Sequence, residues 1–371
     1  MSRNRRTGWV THEYFFWHDT GNYAGCYKPG EYLQPARHWE SPESKRRFKS
    51  LIDVSNLKNN LIHIEPRQAT IAELERVHNS LHISNMQSLS AANGGLMGDG
   101  ESPFGPFGFE IACLAAGGAI AAADAVYKDE VDVAYALIRP PGHHAIKDHG
   151  MGFCMFNNIA VAIEHLKATS RLRNFAVIDW DVHHGNGTQA IYYDNPNVLT
   201  ISLHQDDLYP RHSGTIHETG ENDGVGFNIN VPLPVGSGDG AYRYAFEQIV
   251  NPAIKRFAPE LIFIASGFDA NYYDPLARMC LHADTYNWMA KAVLELADEF
   301  SKGRVVATHE GGYSDIYVPY CGLAVIEAFL GKTSEITDPM ATLGEVKSRQ
   351  DQQLHRHQKE IIDECKKANS L

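Results

Sequence analysis

Short apolar runs alternate with longer helical stretches through most of this chain, and this alternation constrains its fold more than any other feature. The short runs have the length and β-branched content of buried strands. Because strands that are joined by helices lie parallel in one sheet, the pattern predicts an α/β fold with helices on both faces of the sheet. The predicted strands are 131–138, 175–178, 198–203, 261–266 and 304–308. The predicted helices are 108–127, 157–168, 241–257 and 285–300.

One large domain fits the length and the composition. The chain has 371 residues, 43% of them hydrophobic, and its interior contains no Pro/Gly/Ser-rich linker. The candidate site residues described below are also scattered from about 139 to 313, so we predict a single domain over 1–371. The charged tail, 341–371, is predicted to be helical, with a modest apolar face formed by Leu354, Ile361 and Ile362. That face could dock on the domain or on another subunit, and a solvent-facing helix is an equal alternative.

Charge and targeting signals limit the partners. The formal net charge of -12 argues against direct binding of nucleic acid, which needs a basic face. An acidic surface would attract cationic substrates such as lysine-rich peptides or polyamines, and a charge that serves solubility alone is an equal alternative. No apolar leader follows the basic residues 1–6, and the longest apolar run, 111–123, is too short to span a bilayer. We therefore expect a cytoplasmic protein, with no membrane partner, whose six cysteines are reduced.

The segment after the strand at 175–178 has the pattern of a metal site. Asp181 and His183 are two residues apart, so on extended chain their side chains project the same way and can share one ion. A carboxylate with an imidazole suits Zn²⁺ or a similar divalent metal. Taken alone, the pair is weak evidence, because paired polar residues also cap helices and close loops.

Three further predicted strands end in ionisable groups set among glycines. These groups are His143 and His144 in RPPGHH, Asp269 in GFDAN and Tyr313 in EGGY. Each could be a loop, capping or packing residue, but the carboxyl ends of parallel strands share one rim, where the groups would converge. Three ligands, Asp181, His183 and Asp269, would leave a position open for water and substrate. A neighbouring imidazole could then move a proton and a phenol could hold an oxyanion, so the pattern favours metal-assisted hydrolysis.

The motifs RPPGHH, DWDVHHGNGTQ, GFDAN and EGGY resemble those of zinc-dependent histone deacetylases and their bacterial relatives, the histone deacetylase-like amidohydrolases. The resemblance covers a core of about 38–330. It implies the arginase-deacetylase fold, with a central eight-stranded parallel sheet flanked by helices, and hydrolysis of acyl-lysine or similar acylated amines. Asn186 and Glu310 make the chain similar to the class II branch.

The resemblance also implies a role for each site residue. One Zn²⁺ per chain is held by Asp181, His183 and Asp269. His144 is the general base and then the acid, beside His143, and Tyr313 hydrogen-bonds the scissile carbonyl. The carboxylate of Asp179 lies behind His143, and the amide of Asn186 lies behind His144. Since an amide stabilises an imidazolium less than a carboxylate does, we expect the two histidines to have unequal pKa values.

Substrate and cation sites follow from the same resemblance. The implied substrate tunnel comprises Gly152, Phe153, Tyr209, Leu276, Gly311 and Gly312. A structural K⁺ site is implied at the backbone of Asp179, Asp181 and His183 together with Ser202 and Leu203. A second K⁺ site is implied near Tyr192, Asn195 and Val198.

The expected reaction is deacetylation of N-ε-acetyl-lysine in peptides or of small acylated amines. The main alternative is an acetylpolyamine amidohydrolase, which has the same chemistry. Leu276 at the tunnel mouth offers no charge to a second ammonium group and so favours acyl-lysine, although acidic side chains at Asp99, Glu101 or Asp206 could still bind a cation. A silent acyl-lysine binding module and a manganese ureohydrolase are weaker alternatives, because Tyr313 and the tandem histidines are present. A homo-oligomer is left open.

Overall fold

Eight parallel strands form one sheet in the order β2-β1-β5-β10-β9-β6-β7-β8. The computed structural model describes residues 4–340 and 349–371. The strands of the sheet are β1 Thr7–Val10, β2 Leu61–Ile64, β5 Val133–Ala136, β6 Phe175–Asp179, β7 Val198–Gln205, β8 Asn228–Leu233, β9 Leu261–Ser266 and β10 Val305–His309. A separate antiparallel pair consists of β3 Gly95–Leu96 and β4 Pro103–Phe104. The predicted single α/β domain with a central eight-stranded parallel sheet is confirmed.

Helices cover both faces of this sheet. They are α1 Glu43–Val54, α2 Ile71–Leu74, α3 Ser80–Ala91, α4 Gly108–Tyr127, α5 Asn158–Thr169, α6 Asn186–Tyr192, α7 Asp239–Ala245, α8 Asn251–Phe257, α9 Ala283–Phe300, α10 Val318–Leu330 and α11 Arg356–Ala368. Along β6, Phe175 and Val177 belong to the apolar core on one face, whereas Ala176 and Ile178 belong to the core on the other. A strand that is buried on both faces has no polar alternation, which is why β6 is a continuous apolar run.

Three strands of the sheet were not predicted from the sequence pattern. β1 and β2 are only four residues long, and β2 lies at the sheet edge with half of its side chains exposed. β8 contains Asn228, Asn230 and Pro232, residue types that are depleted in strands. Proline is tolerated there because β8 is the opposite edge strand of the sheet.

The helical stretch predicted at 241–257 is divided. α7 passes into a π-helical turn, Phe246–Val250, before α8 begins. Pro252 lies in the first turn of α8 and has no backbone N–H to donate. A widened turn accommodates this missing donor without ending the helical path.

Helix α4 is longer than its apolar run suggested. Its 20 residues are long and apolar enough to cross a membrane by length and composition alone, so the helix extends beyond the run 111–123 on both sides. However, 83% of its apolar window is buried inside the fold, as in the core helix of a globular domain. A Cβ at Gly117 would collide with the carbonyl oxygen of Arg67, so the small residues of α4 permit close backbone approach.

The C-terminal tail docks on its own domain. Helix α11 packs against β8 and buries Ile362 and Cys365 completely. The Tyr244 hydroxyl donates to Asp363 Oδ1 over 2.8 Å and ties the helix to α7. Of the apolar face predicted for the tail, Leu354 remains exposed. Residues 341–348 of the predicted tail lie outside the described part of the chain.

Candidate metal and active site

Asp181, His183 and Asp269 converge at the carboxyl end of the sheet. His183 Nδ1 lies 3.1 Å from Asp181 Oδ1 and 3.1 Å from Asp269 Oδ2. One ligand atom from each of the three lies within 4.8 Å of the others, and all three residues are buried. Among the described residues this is the group of carboxylates and imidazoles whose spacing suits a metal ion. The structure therefore brings together the three ligands that the sequence predicted.

Local turns orient these three side chains towards one another. The carboxylate of Asp179, the last residue of β6, accepts the Asp181 N–H over 3.0 Å. Asp181 in turn accepts the His183 N–H over 2.9 Å, so two successive Asx turns follow the strand. From the neighbouring strand, the Asp269 carboxylate accepts the Val182 N–H over 2.8 Å. These backbone donors fix the two carboxylates before any ion binds.

Two glycines allow the backbone to approach the carboxylates. The Gly311 N–H donates to Asp181 Oδ2 over 2.8 Å. A Cβ at Gly311 would collide with Asp269 Oδ2, and a Cβ at Gly267 would collide with Asp181 Oδ2. Any side chain at either position would therefore push into the ligand set.

The tandem histidines stand beside this group. Their ring centroids are 3.9 Å apart, and His143 Nε2 lies 3.7 Å from Asp181 Oδ1. His143 Nδ1 contacts Asp179 Oδ2 at 2.9 Å, and His144 Nδ1 contacts Asn186 Oδ1 at 2.7 Å. Each of the four residues thus occupies the place expected from the sequence, with a carboxylate behind one ring and an amide behind the other.

The two histidines differ in pKa. Burial would lower the pKa of His143, but the Asp181 and Asp179 carboxylates raise it to about 10. Burial, followed by the positive charge of His143, holds the pKa of His144 well below its ordinary value. At neutral pH, His144 is therefore the ring that has a free nitrogen to accept a proton.

Tyr313, in the loop after β10, faces the three candidate metal ligands. Its ring centroid is 6.3 Å from that of His183, and the residue is almost completely buried. Burial raises the pKa of Tyr313 well above the ordinary value, so the phenol keeps its proton. The carboxylate of Asp274 accepts the Tyr313 N–H over 2.8 Å and fixes the backbone at this point. A neutral phenol in this position can donate a hydrogen bond towards the candidate metal site.

A tunnel of about 210 Å³ leads from the surface to these residues. Its walls include Phe153 and Tyr209, and His144, His183 and Tyr313 lie along it. The remaining lining residues are Cys26, Tyr27, Asp99, Glu101, Gly152, Leu208 and Leu276. Phe153 packs edge-on against Tyr313 with 5.9 Å between centroids, and Tyr209 packs edge-on against His144 at 5.0 Å. The result is a narrow, largely aromatic channel with acidic groups at its mouth.

The expected tunnel residues fall into two sets. Gly152, Phe153, Tyr209 and Leu276 line the channel. Gly311 and Gly312 lie behind its wall, where the Gly311 N–H serves Asp181 and the Gly312 carbonyl accepts the Ser44 hydroxyl over 2.8 Å. Asp206, an acidic residue named from sequence, lies away from the lining, unlike Asp99 and Glu101.

The residues of the predicted K⁺ sites lie close to one another as well. Asp179 pairs in register with Ser202 on β7, and both line a small cavity of about 10 Å³. At the other location, the Asn195 N–H donates to the Tyr192 carbonyl over 3.0 Å, and the Val198 N–H donates to the Asn195 carbonyl over 3.4 Å. Both potassium assignments stay predictions.

Comparison with known proteins assigns the family. The family model described as "Histone deacetylase domain" matches residues 38–329. The chain belongs to the histone deacetylase family. Over 339 residues it is 51% identical to the histone deacetylase-like amidohydrolase of Pseudomonas aeruginosa, covering 91% of this chain and 89% of that protein. It is 35% identical over 347 residues to a probable deacetylase of Archaeoglobus fulgidus, covering 92% and 96% of the two chains.

A solved structure agrees with the assignment. The crystal structure of the HDA15 HD domain matches with a TM-score of 0.81 and 31% sequence identity, covering 98% of this chain and 97% of that one. The resemblance drawn from the motifs is thereby confirmed, and the chain is an enzyme of the deacetylase and amidohydrolase type. The histone deacetylase family is metal-dependent, in keeping with the buried Asp-His-Asp group. The domain limits 1–371, the class II-like branch and the individual site roles stay predictions.

The sequence did not predict the contacts by which surrounding residues keep this histone deacetylase site in place. Glu310 accepts the N–H groups of Gly142 and His143 over 2.6 and 3.1 Å, and so fixes the histidine loop. Arg139 donates through Nε to both oxygens of Glu40, at 2.8 and 2.9 Å, deep in the core. No local spacing predicts such a pair, because 99 residues separate its members. The one signal available in the sequence was an acidic residue immediately before the glycine pair of EGGY, which is Glu310.

Proposed function

We propose that this protein is a zinc-dependent deacylase that hydrolyses the amide of N-ε-acyl-lysine, above all N-ε-acetyl-lysine. One observation carries the proposal: an aromatic tunnel ends where a metal-ligand triad, a proton-accepting imidazole and a phenol donor face one another. A long, thin side chain with an amide at its tip fits such a channel. The family membership supports the reaction type.

The three proposed ligands suit a zinc ion in their chemistry. Two carboxylates and one imidazole nitrogen are atoms that Zn²⁺ takes in catalytic sites, where three protein ligands leave one position open. Burial, followed by the Asp181 charge, raises the pKa of Asp269, so the two carboxylates repel each other in the dry interior. A divalent cation would relieve this repulsion. When bound, zinc would lower the pKa of a coordinated water towards ~7 and polarise the scissile carbonyl.

The protein's own residues supply the proton transfers and the oxyanion contact. His144 takes the proton from the attacking water, since its low pKa leaves the ring neutral. The same ring then returns that proton to the departing amine. Tyr313 donates its phenolic hydrogen to the carbonyl oxygen as negative charge develops there. His143, charged and paired with Asp179, adds a fixed positive charge beside the reacting atoms.

A structural K⁺ ion is part of the same proposal. We place it among the backbone carbonyls of Asp179, Asp181 and His183 with Ser202 and Leu203, where oxygen donors would surround a monovalent ion. Its effect would be mechanical, because it would hold the end of β6 and thereby the two Asx turns that carry the ligands. The site near Tyr192, Asn195 and Val198 is proposed as a second, more peripheral one.

Hydrolysis of acetylated polyamines is the second candidate. Asp99 and Glu101 at the tunnel mouth favour it, because carboxylates attract a substrate with further ammonium groups. Two contacts weigh against this use of Asp99. Its Oδ2 already accepts the Gly152 N–H over 2.7 Å and the Ser102 hydroxyl over 2.6 Å. Leu276 beside the mouth adds an apolar surface, which suits the backbone and side chains of a peptide.

A side-by-side assay separates the candidates. The zinc-loaded protein is given acetyl-lysine peptides, trifluoroacetyl-lysine peptides, acetylputrescine and acetylspermidine, and kcat/KM is measured for each. We expect the lysine peptides to be hydrolysed with the higher kcat/KM. A clear preference for the polyamines would reverse the ranking of the two substrates. No hydrolysis of any of them by protein with zinc bound would reject the deacylase function and leave a binding module.

A further inference from the structure

A buried lysine stands behind Tyr313. Lys45 lies on α1 with a side-chain exposure of 1%, although lysine is rarely buried completely. Its Nζ is 5.4 Å from the centroid of the Tyr313 ring and 3.1 Å from Glu40 Oε1. Within the described chain, that Nζ makes no hydrogen bond of good geometry. The ammonium is therefore placed against the ring face by the fold.

Neutralising Glu40 does not require this second cation. Arg139 already donates to both Glu40 oxygens, and it is as deeply buried as the carboxylate. Two buried cations thus share one buried anion, which leaves an excess positive charge. His18 does not alter this sum, because burial, followed by the Arg139 charge, lowers its pKa to about 3. His309 is neutral as well, since burial and then Lys45 hold its pKa well below the ordinary value.

The backbone around Tyr313 is already fixed without Lys45. The neighbouring residue of α1, Ser44, donates its hydroxyl to the Gly312 carbonyl over 2.8 Å. On the other side, Asp274 accepts the N–H groups of Tyr313 and Ser314 over 2.8 and 3.2 Å. These backbone hydrogen bonds do not fix the tilt of the Tyr313 ring. Phe153 contacts the ring from one direction. The ammonium of Lys45 contacts the ring from another.

We propose that Lys45 is a positioning residue for Tyr313. Cation–π attraction holds the phenol ring at the angle that aims its O–H at the inner end of the tunnel. This inference rests on the proposed function, because it requires Tyr313 to donate to the scissile carbonyl.

A double-mutant cycle tests the proposal. Lys45→Met keeps the apolar stem and removes the charge, while Tyr313→Phe keeps the ring and removes the hydroxyl. With a trifluoroacetyl-lysine peptide as substrate, we expect Lys45→Met to lower kcat by about 5- to 30-fold, as a lost cation–π contact implies, with KM little changed. In the Tyr313→Phe background the same substitution should cost less than about 2-fold, because no hydroxyl remains to be aimed.

Controls separate positioning from folding. Lys49→Met alters the next turn of α1, where the lysine pairs with Asp53 at the surface, and should leave kcat unchanged. Zinc content and melting temperature are measured for each variant. Lys45→Gln, a neutral polar replacement, is expected to show the same kcat loss and provides the test if Lys45→Met does not fold.

Two results would overturn the role of Lys45. One is an equal loss of kcat from Lys45→Met in the wild-type and Tyr313→Phe backgrounds, which indicates general damage to the fold. The other is an unchanged kcat in a folded, zinc-loaded Lys45→Met or Lys45→Gln protein. Neither touches the proposed function, which fails only if the wild-type protein with zinc bound hydrolyses no acyl-lysine peptide.

Discussion

The sheet rim and the helical layer each hold a buried histidine between two carboxylates, and these two clusters serve different purposes. At the sheet rim, Asp181 and Asp269 both point at a single nitrogen of His183. In the helical layer, the two nitrogens of His165 contact different acids, Glu73 at 2.9 Å and Asp124 at 3.2 Å. The second group, formed by Glu73, Asp124 and His165, is called the helix-layer cluster below.

Charge compensation completes the contrast. In the helix-layer cluster, Arg67 pairs with Glu73 at 2.6 Å and Lys128 pairs with Asp124 at 3.0 Å. At the rim, backbone N–H groups and histidines are the partners of the two carboxylates. The same residue types therefore give a self-neutralised structural contact in one place. In the other, they give a converging set of donor atoms whose spacing suits a metal cation.

The largest expected effect comes from removing one ligand at the rim. Asp269→Asn keeps the shape of the side chain but removes one negative charge, so we expect zinc to be lost and turnover to fall by at least about 1000-fold. Zinc content is measured by elemental analysis, together with kcat/KM on an acetyl-lysine peptide. Asp124→Asn makes the same change in the helix-layer cluster and should keep both properties. Loss of zinc from Asp124→Asn would erase the distinction between the clusters.

The next effect separates metal binding from catalysis within the rim. Tyr313→Phe removes the donor without touching a proposed ligand, so the variant should retain zinc and lose turnover by ~100-fold to ~1000-fold, as for one oxyanion donor in a comparable site. Steady-state kinetics on an acetyl-lysine peptide and elemental analysis provide the measurement. Near-wild-type turnover in this variant would remove Tyr313 from the mechanism.

Metal removal should affect stability at the rim alone. With free zinc at about 1000 times its Kd, binding stabilises the folded state by about 4 kcal/mol. At an unfolding entropy of about 2 cal/mol/K per residue, this corresponds to a melting temperature about 5 °C higher in a domain of 371 residues. Differential scanning calorimetry of the wild-type protein with and without a chelator measures this shift. Asp269→Asn should show no such shift, whereas Asp124→Asn should show all of it.

The smallest effect concerns the pH dependence of the helix-layer cluster. The hydrogen bond from Arg67 lowers the pKa of Glu73 to about 2, below its ordinary value of 4.5. A depressed carboxylate pKa stabilises the fold above pH 4.5, and this contribution is lost as the pH falls through about 2. We expect Glu73→Gln to cost about 1–2 kcal/mol at pH 7, after allowing for solvent screening, and less than half of that at pH 3.

Urea unfolding at the two pH values tests this dependence. Activity and zinc content at pH 7 should be unchanged in Glu73→Gln, because Glu73 lies outside the rim. An equal stability loss at both pH values would show that Glu73 acts through packing and not through its charge.

Much of the rim could be predicted from the sequence because local chemistry builds it. Asp179, Asp181 and His183 follow one buried strand, and their Asx turns depend only on nearest neighbours. The histidine loop was marked by its two prolines and its glycine. Strands β1, β2 and β8 could not be found in the same way, since they are short or carry residues that a strand usually excludes.

The residues that hold the rim from outside could not be predicted. Glu310 accepts the N–H groups of two residues that precede it by 167 and 168 positions in the chain. Lys45 packs against the ring of Tyr313, which is also distant in the sequence. The helix-layer cluster around His165 could not be predicted either, because its acids Glu73 and Asp124 lie 92 and 41 residues away in the chain. Its burial and the direction of its contacts are properties of the packed structure.

The sequence by itself determined the fold class, the histone deacetylase family and the identity of the proposed ligands and proton-transfer groups, because these depend on periodicity and on short motifs at strand ends. Only the tertiary structure decided which acids converge on one nitrogen, that the C-terminal helix docks on its own domain, and that Lys45 lies behind Tyr313. Contacts between residues far apart in the chain are set by how the sheet and helices pack. No local sequence pattern specifies which of these distant residues come into contact.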